Sequence, residues 1–149
     1  MRELSQAEQD FLQIHRVARL ATADAQGQPY AVPICYAFDG RWVYSALDEK
    51  PKSVEPTRLK RVRNIQANPR VALVVDDYAE DWRLLAYIQL RGQADLLPVG
   101  AEAHAGAVRL LRAKYPQYEQ MAIDQQPVLR IAPEAIVTWG AVAAPYVGS

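Results

Sequence analysis

The chain alternates between a helical and a strand spacing of apolar positions, and the changes of spacing divide it into elements. Ser5-Gln6-Ala7-Glu8 forms a capping box, the serine side chain accepting from the amide three residues on while the glutamate reaches back, so a helix is predicted to about His15. From Val17 the apolar positions come in short runs separated by turn signals: VARLATA, DAQGQ, YAVPICYAF, Asp39-Gly40 and WVYSAL. This spacing predicts a three-stranded meander. Pro33 has no amide to give to a ladder, so its strand is expected to be bulged or edge-like there, a kind of point that often faces a ligand.

A loop is expected over residues 48–53, then a helix from Pro56, whose missing amide suits a first turn, to about Ala67, where Asn68-Pro69 stops it. Residues 70–76 form an apolar run of strand length, followed by an acidic loop. The clearest strand comes next: Leu84, Ala86, Ile88, Leu90, Gly92, Ala94 and Leu96 alternate with a side that is mostly polar from Tyr87 onward. A helix over residues 101–114 would place Ala107, Val108, Leu111 and Tyr115 on one side, and two short strands are expected at 128–132 and 135–139. Roughly seven strands and three helices, with no repeat or linker, fit a single domain over residues 1–149. The expected fold is mainly β, a small antiparallel β-barrel with helical connections and ligand sites at its rim.

Composition narrows the function. Hydrophobic residues make up 50% and charged residues 23% of 149 positions, which suits a globular domain with a core of its own. Seventeen basic residues balance seventeen acidic ones, which argues against a dedicated nucleic-acid or membrane-surface protein. Cys35 is the single cysteine, so no intrachain disulfide forms and a cytoplasmic location is the expectation. The N-terminal stretch lacks the apolar core of a signal peptide, and residues 135–149, the longest uncharged run, fall short of a membrane helix.

Several chemistries find no support in the spacing. His15, His104 and Cys35 form no ligand-spaced pair, so no metal site is expected. No serine sits in a G-x-S-x-G elbow and no G-x-G-x-x-G opens a helix. Cys35, in an apolar strand, reads as an inert thiol. The informative segment runs from Lys50 to Arg63 and holds six of the seventeen basic residues against Glu55 alone. On a helix, Thr57, Lys60, Arg61 and Asn64 share one face while Leu59, Val62 and Ile65 take the other. That stripe is either a solvated face or, with the amides of the helix N-terminus, a cradle for a phosphate. Trp82, after the acidic loop, is either a packing residue or a stacking platform.

The ordered set RVARLATADAQGQPYAVPICYAF, VYSALDEKPK, RLKRVRNIQANPRVALVVDDYAEDW and QLRGQADLL resembles the pyridoxamine-phosphate-oxidase-like superfamily over residues 17–97, with weaker agreement in KYPQY and VTWG. Within that superfamily it is most similar to the F420-dependent oxidoreductases, whose cofactor is an 8-hydroxy-5-deazaflavin. The resemblance implies a split β-barrel, a homodimer, and a flavin or deazaflavin in a groove at the subunit interface. It places Lys60 and Arg61 at the cofactor phosphate beside Lys52, Arg58 and Asn64, with the motif R-N-[LI]-x-x-[ND]-P-R standing as residues 63–70. Val32, Pro33, Ile34 and Cys35 would supply backbone contacts to the ring, Ser45 would lie near the ribityl chain, and Trp82 near the ring. The implied activity is hydride transfer between coenzyme F420 and a small unsaturated or conjugated molecule. The alternatives are an FMN-dependent oxidase or reductase and a cofactor-binding protein without turnover. The tail AVAAPYVGS carries no basic residue after Arg130, so pyridoxamine-phosphate oxidation is not expected. No dedicated acid or base is identified; Tyr36, Tyr44 and Tyr87 are the candidate proton donors.

Overall fold

The computed structural model describes residues 1–47 and 58–143. Its strands are β1 (Val17–Ala23), β2 (Pro29–Cys35), β3 (Ala37–Phe38), β4 (Val43–Ala46), β5 (Arg70–Asp77), β6 (Ala86–Leu97) and β7 (Val128–Gly140). The helices are α1 (Gln6–Ile14), α2 (Lys60–Ala67) and α3 (His104–Lys114). All seven strands form one sheet in the order β2-β1-β5-β6-β7-β4-β3, antiparallel at each pairing. β2 and β3 occupy its two edges, yet only Tyr36 separates them in sequence. The sheet therefore curls until its edges meet, and the barrel is closed by the covalent chain: the split barrel expected of the sequence.

Two apolar clusters follow from this curl. Leu20, Leu73, Ile88, Leu90, Leu129 and Ile131 fill the interior, plugged by Phe11 and Leu12 from α1. On the opposite face of β3 and β4, Ala37, Tyr44 and Ala46 pack with Val108, Leu111 and Tyr115 of α3 and the segment after it. With a cluster on each face, every residue of β4 is buried.

The expected seven strands and three α-helices are found among the described residues, though two boundaries changed in opposite senses. The YAVPICYAF strand divides at Tyr36, and its halves pair with β1 and β4 instead of forming one meander. The two short strands expected at the end are the single β7. Pro133 does not break it because a bulge absorbs the irregularity opposite Arg91 and Gly92. The Ala132 carbonyl comes so near Gly92 that a Cβ there would lie 2.0 Å from its oxygen. Leu84 falls in a 3-10 turn before β6, and α3 begins three residues late because Gly100, at φ +92°, prolongs the turn. Pro33 does lie on an edge strand, as its missing amide requires.

Charged contacts pin α1 to the barrel. The capping box forms, and the Glu8 carboxylate also accepts from Arg2 at 2.7 and 2.8 Å and from the Thr138 hydroxyl of β7 at 2.6 Å. These donors, Arg2 foremost, hold Glu8 well below the usual carboxylate range against the opposing effect of burial. At the other end, His15 donates from Nδ1 to the Phe11 carbonyl at 2.7 Å and meets Asp77 through Nε2 at 2.6 Å. Because Glu8 is depressed on folding, its contribution is complete above the ordinary carboxyl pKa of about 4 and is lost as the pH falls further. Glu8→Gln is expected to cost about 1–3 kcal/mol at neutral pH and to reduce the acid sensitivity of the remaining stability. Urea denaturation of both proteins at neutral and acidic pH checks this; parallel pH dependences would contradict it.

Candidate functional site

α2 is turned differently from the way its sequence suggested. Val62 and Ile65 face the core as expected, but Asn64, placed on the polar stripe, is buried and donates to the Thr22 hydroxyl of β1 at 3.0 Å. Successive residues advance by about 100°, so a buried arc reaching from Asn64 through Ile65 to Val62 has Arg61 near its middle. Arg61 is accordingly half-buried, while Arg58, Lys60 and Arg63 are exposed. A hydroxyl on the neighbouring strand made the asparagine a core partner, a tertiary effect that helical spacing does not report.

The N-terminus of α2 has the electrostatics of an anion site. Leu59 stands at the N-cap and gives no side-chain hydrogen bond, and the first turn has no acidic residue. Among the described residues no side chain caps its orphan amides, and the helix dipole favours an anion there. Lys60 lies near Asp24 in the β1–β2 turn, where the Gln28 amide, with smaller help from Lys60, holds the Asp24 carboxyl below its ordinary value. Lys52 and the start expected at Pro56 lie outside the described residues.

The expected ring-binding strand presents two different surfaces. In β2 the side chains of Val32 and Ile34 point inward, Ile34 being buried, while Pro33 and Cys35 share the outer face with Arg19 and Val17, their partners on β1. The Ser45 hydroxyl, buried in β4, donates to the Cys35 carbonyl at 2.8 Å from the side away from β1. Backbone groups repeat their direction every second residue, so Pro33 and Ala31 also point theirs away from β1. Pro33, lacking an amide, offers a carbonyl alone. Ser45 thus serves the seam of the barrel, and the outer part of the β2 edge is where a ligand could take backbone hydrogen bonds.

The remaining expected residues separate. Trp82 is 72% exposed in the 3-10 turn before β6, near the Val17 end of the sheet, whereas α2 is tied to its Thr22 end. Five residue steps along β1 separate these ends, roughly 17 Å at about 3.3 Å per residue. Within one chain, Trp82 and the basic helix therefore do not converge. Of the candidate proton donors, Tyr36 is fully buried with its hydroxyl on the Leu12 carbonyl at 2.5 Å. The Tyr44 hydroxyl is bound to Asp39 at 3.0 Å, and burial, reinforced by Asp39, pushes it up to about 12. Only Tyr87 faces outward, stacked on Trp139 with ring centroids 5.9 Å apart.

Two features of the outer face were missed. Trp139 is one, although its spacing from Val137 marked it as outward-facing. The other is an open depression of about 620 Å³ whose lining includes Ala21, Ala72, Ala135, Arg70, Arg91 and Gln93. Its origin is the register: Ala21, Ala72, Arg91 and Ala135 lie side by side across β1, β5, β6 and β7, so alanines flank the long arginine. No single segment of the sequence contains that row.

The pyridoxamine 5'-phosphate oxidase family model matches residues 4–140. The chain belongs to this family. Among its relatives is the 5a,11a-dehydrotetracycline/5a,11a-dehydrooxytetracycline reductase of Streptomyces rimosus, 31% identical over 142 residues, covering 91% of this chain and 82% of the reductase. The fold is similar to that of HutZ, a heme storage protein from Vibrio cholerae, with a TM-score of 0.75 at 16% identity over 96% of this chain and all of that one. It is also similar to a solved F420 reductase, with a TM-score of 0.67 at 23% identity over 90% and 98% of the two chains. Membership, together with the tetracycline-type reductase, makes the chain a pyridoxamine-phosphate-oxidase-like oxidoreductase. Both histidines of this family member are committed to the fold, His15 as described and His104 through Nε2 to the Gln126 carbonyl at 2.7 Å.

The burial of Asn64 gives a test. Asn64→Ala is expected to lower stability by about 1–3 kcal/mol, because it leaves the Thr22 hydroxyl without its partner. A variant as stable as the parent in urea denaturation would show that the Asn64 side chain is not a core partner.

Proposed function

We propose that the protein is an F420-dependent oxidoreductase acting on a small unsaturated or conjugated molecule. The observation that carries this reading is the uncapped, acid-free N-terminus of α2, flanked by exposed Arg58 and Lys60. It suits the cofactor phosphate: charge-assisted donors and orphan amides converge without a Gly-rich loop. When bound, the deazaflavin supplies hydride chemistry. The chain's own residues do the rest. Arg58 and Lys60 hold the phosphate, with Arg61 beside them and Lys52 assigned the same role by the family resemblance alone; the outer edge of β2 offers the Pro33 and Ala31 backbone to the ring edge; the Pro33 and Cys35 side chains line the outer face next to it. Support for a reductive direction and a conjugated substrate comes from the name of the Streptomyces rimosus relative.

We further propose that the active form is a homodimer with the cofactor groove between subunits. Val17, Val137 and Trp139 are exposed on the outer face of one sheet, with Tyr87 stacked on the last of them. A second copy covers them. It also answers the placement of Trp82 and the basic helix at opposite ends of β1, since the tryptophan of one chain can serve the groove of its partner. The reading includes a cytoplasmic location and no nucleic-acid or membrane partner; no helix among the described residues is long and apolar enough to cross a bilayer.

FMN also offers a phosphate and a flat tricyclic ring, so the two cofactors are separated by measurement. Fluorescence titration is expected to give tighter binding for F420 than for FMN, followed by oxidation of reduced F420 when a conjugated acceptor is added. Tighter FMN binding without consumption of reduced F420 would replace the first reading by the second. Replacing Arg58 and Lys60 together by Ala is expected to weaken binding at least ten-fold, since each charge-assisted contact contributes about 1.5–3 kcal/mol, while stability changes by less than about 0.5 kcal/mol. Unchanged affinity would return the helix to a solvated face. Sedimentation at micromolar concentration is expected to show a dimer, and a monomer there would end the interface reading.

A further inference from the structure

The fold buries one amine without giving it a counter-charge. Lys114 ends α3, and its Nζ is buried with no hydrogen-bond partner among the described residues. It sits 4.1 Å from the centre of the Tyr36 ring and 5.6 Å from that of Tyr115. The ionisable groups acting on it are Arg16, whose Nη1 donates to the Lys114 carbonyl at 2.5 Å, and the Cys35 thiol. Tyr115 also faces it, its hydroxyl fixed between the Arg16 and Tyr36 carbonyls at 2.7 Å from each. Cation–π attraction offsets part of the lost hydration, but a second cation nearby opposes the ammonium form.

Burial first, and Arg16 second, pull the Lys114 ammonium down to about 8. At a given pH near neutrality the neutral amine is then more abundant than in an ordinary lysine by roughly a few hundred-fold. Lys114 also lines a cleft of about 300 Å³ between α1 and α3, whose other walls are Gln13, Ala37, Phe38, Leu110 and Ala113. An occupant that resolves the local charge has to cross mostly apolar walls uncharged, be small, and leave the site negative beside Arg16.

We propose that Lys114 is a carbon dioxide site, its ε-amine adding to CO₂ to form a carbamate that pairs with Arg16. The nitrogen lone pair forms the N–C bond, one C–O π bond breaks to place its electrons on oxygen, and one N–H proton leaves to solvent. Nothing is oxidised or reduced. The product exchanges a cation repelled by Arg16 for an anion attracted to it, and gives up the cation–π contacts with Tyr36 and Tyr115. It thereby ties the end of α3 to the α1–β1 junction, next to the Tyr36 seam. The site lies apart from the basic helix and does not depend on the cofactor reading.

The test uses the intact full-length protein equilibrated with ¹³C-labelled bicarbonate and CO₂ near the titration range of the amine, trapped with triethyloxonium ion, digested and analysed by mass spectrometry. Lys114 is expected to carry the trapped carboxyl label at least ten-fold more than Lys60, which is exposed on α2. Carbamate ¹³C resonance assigned to this site is expected to disappear in Lys114→Arg, which keeps a cation but has no amine to react. Label on the Met1 α-amine with none on Lys114, or equal label on Lys114 and Lys60, overturns the proposal. So does a carbamate signal unchanged in Lys114→Arg.

Discussion

The barrel depends on the covalent passage through Tyr36. Cys35 ends one edge strand of the sheet and Ala37 begins the other, so the curl of seven strands is set by a single residue that belongs to neither ladder. Such a joint interrupts backbone pairing inside a packed region, where an unpaired amide or carbonyl is costly. The Tyr115 hydroxyl stands against both groups. Its oxygen accepts from the Tyr36 amide at 3.0 Å and lies 2.7 Å from the Tyr36 carbonyl. Since that hydroxyl has one proton, it donates either to Tyr36 or to the Arg16 carbonyl, also at 2.7 Å. Burial, its leading influence, raises the Tyr115 phenol far above its usual value and keeps that proton in place. The Tyr36 side chain meanwhile reaches α1 through the Leu12 carbonyl.

Closing the barrel through the chain leaves the outer part of β2 without a neighbouring strand among the described residues. A fully laddered barrel would have no free edge. Here the edge is protected against pairing with another strand by Pro33, which withholds an amide, and by the Ser45 hydroxyl, which occupies the Cys35 carbonyl. What survives is a short edge with alternating backbone acceptors and donors, matched to a ligand's polar rim better than to a long strand. The same topological choice thus gives both closure and the groove proposed for the cofactor.

Local interactions were legible in the sequence, and interactions set by topology were not. Ser5 and Glu8 cap a helix within one turn of chain, and the alternation of β6 survives because one face meets the core and the other does not. Pro33 marks an edge for a reason internal to proline. By contrast, the turning of α2 depends on Thr22, 42 positions away from Asn64. The continuity of β7 depends on Gly92 accepting a close carbonyl from another strand. The basic helix, the β2 edge and Trp82 were each picked out one segment at a time, and a segment does not reveal that Trp82 and α2 sit at different ends of β1. The arginine in its row of alanines is the extreme case, since the alanines come from three other strands.

Zero net charge is compatible with an anion site because the fold neutralises its charges unequally. The acidic residues near the β5–β6 connection are satisfied internally: Asp76 by Arg19, Asp77 by His15 and Asp81 by Arg83. Glu8 is paired with Arg2, and Asp95 with Arg130. The exposed cations Arg58, Lys60, Arg63, Arg70 and Arg91 form no ion pair with the described residues. Paired charges project little field beyond a few ångströms, whereas unpaired ones project theirs across a Debye length of about 8 Å at physiological ionic strength. The exposed cations left without an ion pair are thus gathered on α2 and along β5 and β6, with Asp24 near Lys60 and Glu134 near Arg70 and Arg91, even though the chain's total is zero. Partner choice is written in which charges the fold leaves over, and a count of lysines and aspartates does not contain it.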